Sequence, residues 1–272
     1  MVDTENHPVT FPDWCNHYVA HFTKHCLRVI HMHQHLGKAA QEIDPFIDAA
    51  GHPVLGEVTP KIAERVHVVV DLKKSRDKAL LLLLKIEFEI FLNRMLANVW
   101  DHFYDHAISV NLKVLQKEKV SLAEVSAGTD AVRELVRRKL IPTQGLKAFV
   151  AKFNSVAGMP VVDFCDALGP GIYAQIDTAF QVRHLIEHQN NVVDDRFWNN
   201  VKDSWGKSSW SDLPYGSANK VLCREEDFMK TYYSMVLFAS AFGMAMQSWR
   251  PGAEPGWWRD KVSEFRSIMT IG

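Results

Sequence analysis

Leu80-Leu81-Leu82-Leu83-Leu84-Lys85-Ile86-Glu87-Phe88-Glu89-Ile90-Phe91-Leu92 is the stretch on which the reading of the fold turns. Its unbroken apolar part is only Leu80 to Leu84 before Lys85 interrupts it. A membrane-spanning helix needs about 20 such residues, so no span is predicted. Followed on to Phe103, the residues Leu81, Leu84, Phe88, Leu92, Met95, Val99 and Phe103 recur every three or four positions. That period places them on one stripe of an α-helix. Ile86, Ile90 and Phe91 are expected to widen the stripe. The pattern predicts a long core helix starting before Ser75 and ending near Ala107.

Towards the N-terminus, Val19, Phe22, Cys26 and Val29 share the helical period. They predict a helix over 12–36 with Gly37 as its stop. A short helix over 39–50, broken near Asp44-Pro45, and a Gly/Pro-rich connector over 51–60 follow. Towards the C-terminus, Ser121-Leu122-Ala123-Glu124 fits a capping box. A basic helix over 131–140 and another from Pro142 to about Ala157, stopped by Gly158, come next. Gly169-Pro170-Gly171 breaks the chain before the helical run 172–190. Residues 203–222 read as a loop or short hairpin. Acidic residues 225–227 suit the positive end of a helix dipole. Phe228, Tyr232, Met235, Ala239, Phe242 and Met246 then form a second clean stripe, ended by Arg250-Pro251-Gly252. Strand signals are weak, and the expected class is all-α: an up-down helical bundle over 71–250, an N-terminal helical extension over 1–70 and a tail over 251–272.

The 272 residues carry a formal charge of −1, which argues against a general positive field for nucleic acid and requires any such contact to be a local patch. Cys15, Cys26, Cys165 and Cys223 are scattered without a C-x-x-C pair. They read as reduced thiols, and with no signal-peptide core near the N-terminus the expected location is cytoplasmic.

Chemistry concentrates in Arg183-His184-Leu185-Ile186-Glu187-His188, which continues into Val192-Val193-Asp194. On a helix His184 and His188 lie on one side, as do Arg183 and Glu187, about 100° round. Arg183 and His188 are separated by a rise of about 7.5 Å. Imidazole exchanges protons near neutral pH, and guanidinium presents a planar fork of donors matched to phosphate. Together they suit a phosphodiester in transit. On pattern alone, an Arg183–Glu187 surface pair with two ordinary histidines accounts for the same residues equally well.

The Arg-x4-His spacing, with polar His184 directly after Arg183, resembles the signature of HEPN domains. The full run, with Ile86-Glu87-Phe88-Glu89-Ile90-Phe91-Leu92 upstream and the 225–249 helix downstream, resembles the branch found in bacterial and phage conflict systems. The resemblance covers about residues 75–250 and leaves 1–70 unmatched. It implies a helical bundle that forms a homodimer with a composite active site. It also implies a metal-independent endoribonuclease that leaves a 2′,3′-cyclic phosphate, as a toxin or defence effector with an antitoxin or regulatory protein as further partner. His188 would be the general acid/base, Arg183 the phosphate clamp and His184 an orienting group, with RNA the substrate and no cofactor. Some members of the superfamily are instead non-catalytic dimerisation or interaction modules.

Other candidates rank lower. Arg133, Arg137 and Arg138 form a basic patch able to grip RNA phosphates or simply to face solvent. Glu87 or Glu89 could face the Arg183 motif. His17, His21, His25, His31, His33 and His35 fall within nineteen residues. Histidines at a spacing of four can chelate a metal. Because the cluster lies opposite the apolar stripe, and no acid or cysteine nearby in sequence completes a ligand set, a solvated polar face is preferred and no metal ligand is assigned. His102 and His106 lack a His-Glu-x-x-His context, and Glu64-x-x-His67 lacks the second copy that a di-iron bundle needs. No phosphate-binding glycine loop, dinucleotide fingerprint or nucleophile elbow is present.

Overall fold

The computed structural model describes residues 10–50, 60–115, 130, 134, 137, 138, 141, 145–188, 192–212 and 223–271. Among them the elements are α1 (Phe11–Ala50), α2 (Pro60–His102), α3 (Tyr104–Leu115), α4 (Leu146–Ala157), α5 (Val161–Leu168), α6 (Ile172–His188), α7 (Asp195–Val201), two 3-10 turns (Trp205–Lys207 and Ser209–Asp212), α8 (Glu225–Ser248) and α9 (Trp258–Ile271). The protein is all-α, its helices packed on one another, with no strand among the described residues. No described helix is long and apolar enough to cross a membrane.

The two stripes behave as their period requires. Leu81, Leu84, Phe88, Leu92, Met95 and Val99 of α2 are buried, as are Phe228, Tyr232, Met235, Ala239, Phe242 and Met246 of α8. Ile86 and Ile90 do not widen the α2 stripe inward: they stand 42% and 36% exposed. Phe91, one position round from Ile90, is the residue that turns in.

The helix ends differ from expectation in instructive ways. α1 passes straight through Gly37 and Pro45 to Ala50. Gly37 marks a close approach instead of a stop: a Cβ there would lie 3.2 Å from the Arg76 guanidinium. α2 ends at His102, yet Phe103 N–H still donates to Val99 O and Ala107 N–H to Phe103 O, both at 2.9 Å. The predicted end at Ala107 therefore runs over a local interruption into α3. Gly158 stops α4 as expected, with left-handed φ 59° and its N–H bonded to Asn154 O. The Ser121–Glu124 capping box, Arg133 and Pro142 lie outside the described residues, as do the side chains of Glu64 and His67.

Two compact units account for the chain. The first comprises Met1–Phe22, Phe88–Tyr173 and Ser234–Gly272. Its core is aromatic: Phe242 meets Phe91, Phe153, Phe164 and Phe238, with ring centroids between 4.7 and 6.4 Å. Gly243 sits where α8 crosses α1, since a Cβ on it would overlap Val19 Cγ2. Trp258 of α9 is buried against Phe164, and Trp257 Nε1–H donates to Ala157 O at 3.0 Å. The tail therefore contains an ordered helix.

The second unit, Thr23–Glu87 and Ala174–Tyr233, buries apolar residues such as Leu81, Leu84, Phe180 and Phe228 and adds a set of polar contacts. Buried His33 lies 3.4 Å from Asp77 and stacks on Phe228. Arg76 bonds Asp77 at 2.7 Å and Glu225 at 3.3 Å. Asp227 is fully buried; it accepts two bonds from Arg224 and one from Ser209.

Cys15, Cys26, Cys165 and Cys223 are all free thiols. Burial pushes the Cys15 thiol up to about 12 and raises the other three as well.

Two outcomes are expected. Gly243→Ala forces overpacking at the α1–α8 crossing, a class of change that costs about 1–3 kcal/mol. A lowered thermal midpoint, largely restored by Val19→Ala in the same chain, checks it. For the thiols, the folded state holds protons that the unfolded state releases above pH ~9. Their stabilisation is complete below that pH and is lost as pH rises towards 12. Each fully protected thiol costs roughly 1 kcal/mol of stability per pH unit in that window. Urea midpoints measured from pH 8 to 10.5 should fall, with little thiol labelling before unfolding.

Candidate functional site

α6 carries the Arg183 motif, and its surroundings are built from its own polar residues. Gln175, Asp177 and Thr178 are buried along it. Buried polar groups are costly unless bonded, and neighbouring elements meet most of them. Gln175 Nε2 donates to Thr231 Oγ1 at 2.9 Å, and Ser209 N–H donates to Gln175 Oε1 at 2.9 Å. Ser204 Oγ donates to Asp177 Oδ2 at 2.6 Å. Lys85, itself buried, lies 5.5 Å from the Phe180 ring centre, a cation–π contact. Asn200 of α7 donates to Gln181 at 3.3 Å.

Arg183 stands three turns along this helix. Its side chain is only 19% exposed and its guanidinium pairs with the Glu187 carboxylate one turn on. Arg183 Nε is buried without a hydrogen-bond partner. Leu185 is buried and His184 is partly so. His188 is the last residue of α6, and its side chain lies outside the described residues. Within the motif Arg183 and Glu187 form the pair expected from spacing alone.

Downstream, Asp194 has a local task. Its Oδ1 accepts the Phe197 N–H at 2.7 Å and caps α7. Phe197 then packs edge-on to Trp198 and Trp205.

The basic patch is internally compensated where it is described. Arg137 and Arg138 both reach Glu134, at 3.3 and 3.2 Å. Bonding from Arg138, then Arg137, holds the Glu134 carboxyl below its usual range. Of the two acids on α2, Glu89 accepts the Gly145 N–H at 3.1 Å, and Glu87 bonds His25 at 3.0 Å. The latter contact was not foreseen, because it pairs residues 62 apart in sequence. Nor was the His33–Asp77–Arg76–Glu225 cluster, whose members come from three helices. His33 and Asp77 gave no sequence signal for that association.

No protein-family model, curated protein or solved structure matches this chain.

Proposed function

We propose that the chain is a metal-independent endoribonuclease of the HEPN kind, working as a toxin or defence effector. The observation that carries the reading is Arg183: a guanidinium held near the end of a buried helix, largely withdrawn from water, five residues before His188 completes the histidine pair. A withdrawn guanidinium interacts more strongly with a phosphate than an exposed one.

In this mechanism an RNA phosphate displaces Glu187 from Arg183. His188 removes the proton from the 2′-hydroxyl, which attacks the adjacent phosphorus. Arg183 stabilises the negative charge that builds on the non-bridging oxygens. The 5′-oxygen leaves with a proton from an imidazole, and a 2′,3′-cyclic phosphate remains. His184 orients the site. A homodimer supplies two motifs to one cleft, which overcomes the i, i+5 separation of Arg183 and His188. Arg133, Arg137 and Arg138 bind flanking phosphates, and an antitoxin or regulatory protein restrains the activity.

The Arg183–Glu187 pair also favours a second reading, a non-catalytic HEPN-type dimerisation or interaction module in which that pair is simply structural. RNA cleavage separates the two. With chelator present, the wild type should cut total RNA to cyclic-phosphate ends. His188→Ala and Arg183→Ala should lose about 100-fold or more, the usual value of positioned acid/base help. Glu187→Gln should retain cleavage, since that carboxylate only occupies the guanidinium at rest. Equal cleavage by wild type and His188→Ala, or none by either, overturns the catalytic reading.

A further inference from the structure

Three rings of α1 and one guanidinium of α2 make a mixed aromatic and cationic face within the first unit. Trp14 and Tyr18, one helical turn apart, stack with ring centres 5.5 Å apart and planes 29° from parallel. His17 meets both edge-on at 5.8 Å. Arg94 lies 6.0 Å from the Tyr18 ring centre, a cation–π contact. His17 is exposed, while Trp14, Tyr18 and Arg94 are partly buried. The order is a ladder, with the guanidinium on Tyr18 and Tyr18 on Trp14, and its last rung reaches solvent. Burial, then the charge of Asp101, pushes the Tyr18 hydroxyl up, and Arg94 and Arg137 act against them. Arg137 of the basic segment therefore stands within electrostatic range of the same face.

We propose that Trp14, Tyr18 and Arg94 form a stacking site for single-stranded RNA, in which an unpaired base extends the ladder on Trp14 and Arg94 takes a phosphate of the same strand. The choice of RNA rests on the ribonuclease reading; the residues are separate from the Arg183 motif. Three arguments carry the site. The first is the shape of the ring system. Parallel rings that end in a partly exposed indole accept one more flat group, and every base has a π-face to offer. In a duplex those faces are already stacked on neighbouring pairs, so an unpaired base is the one that fits. The second is Arg94. Among the described residues it has no carboxylate partner, and the Tyr18 ring is its neighbour instead. Its planar fork of donors therefore retains its capacity for a phosphate. The third is the state of the surrounding acids. Asp13 accepts bonds from the Thr10 N–H and hydroxyl at 3.3 and 2.7 Å. Glu134 is held by Arg137 and Arg138. Asp101 remains, and the whole chain carries a charge of −1. Stacking, and not a broad positive field, thus supplies most of the affinity.

An aromatic contact that only packs α1 on α2 is the competing account. Binding separates the two, read by fluorescence anisotropy of a short labelled unstructured RNA. The full-length His188→Ala chain serves as parent, so that cleavage does not interfere. Binding to it supports the site even if the wild type cuts no RNA, which would overturn the ribonuclease reading alone. Trp14→Ala in this parent should weaken binding roughly fivefold or more, the usual worth of one base stacked on a ring. Trp14→Phe should keep most of the affinity. Arg94→Gln should lower the slope of log affinity against log salt by about 0.7, the value of one single-strand phosphate contact. A duplex of the same sequence should bind much more weakly. Because Trp14→Ala removes a packed ring, photocrosslinking of iodouridine-containing RNA to the parent is mapped by mass spectrometry as well; adducts should fall on Trp14 or Tyr18. No binding by the parent, undiminished binding by Trp14→Ala, equal binding of the duplex, tighter binding of the matching DNA strand, or adducts confined to other residues overturns the site.

Discussion

A helix buried around nearly its whole circumference must hand its polar side chains to its neighbours, and α6 works under that constraint. Gln175, Asp177 and Thr178 lie inside among Ile176, Phe180 and Val182. An amide or carboxylate left unbonded there costs roughly 1–3 kcal/mol or more. The chain between α7 and α8 supplies the answer: Ser204 takes Asp177, and Ser209 links Gln175 to Asp227. Residues 204–210, which look like featureless polar loop in sequence, are thereby tied down by hydrogen bonds at Ser204 and Ser209, and Trp210 among them is buried. The first turn of α8 is fixed the same way. Asp227 reads as a favourable charge at a helix start, yet it is fully buried and locked to Arg224. Its carboxylate therefore holds the turn and the helix together as well as meeting the dipole.

What was legible in the sequence is what depends on local period. The α2 and α8 stripes, the breaker at Gly169-Gly171 and the left-handed stop at Gly158 each follow from residues within one or two turns of one another. Errors arise where distant residues decide. Periodicity locates a stripe but not its width, so Ile86 and Ile90 looked like core although no neighbour covers them fully. Gly37 looked like a stop because glycine often ends helices, but its lack of a side chain instead admits Arg76, 39 positions later on another helix.

The candidate sites divide along the same line. Arg183–Glu187 was legible as an i, i+4 pair and is found as one. His25–Glu87 was not, because nothing local relates a histidine on α1 to a carboxylate on α2. A solvated histidine face was the reasonable expectation from residues 12–36 taken alone. The fold changes it by burying His33 against Asp77 and by turning His25 towards an acid.

Arg183 shows how one geometry supports two readings and where they part. An exposed i, i+4 ion pair contributes only about 0.3–0.5 kcal/mol, and its guanidinium remains hydrated by solvent. At 19% exposure, with Nε buried and unbonded, this guanidinium has given up hydration that Glu187 replaces only in part. Burial of that kind weighs against folding unless something else requires it. A phosphate offers more acceptor oxygens than one carboxylate and carries its charge to the same fork. Under-satisfied donors at the end of a rigid helix are what a clamp for a developing anion needs, because little reorganisation is left to do when the charge forms. The same incompleteness is a net cost to a merely structural pair. On energetic grounds the arrangement therefore favours a ligand-binding role for Arg183, with Glu187 as the resting occupant of the fork.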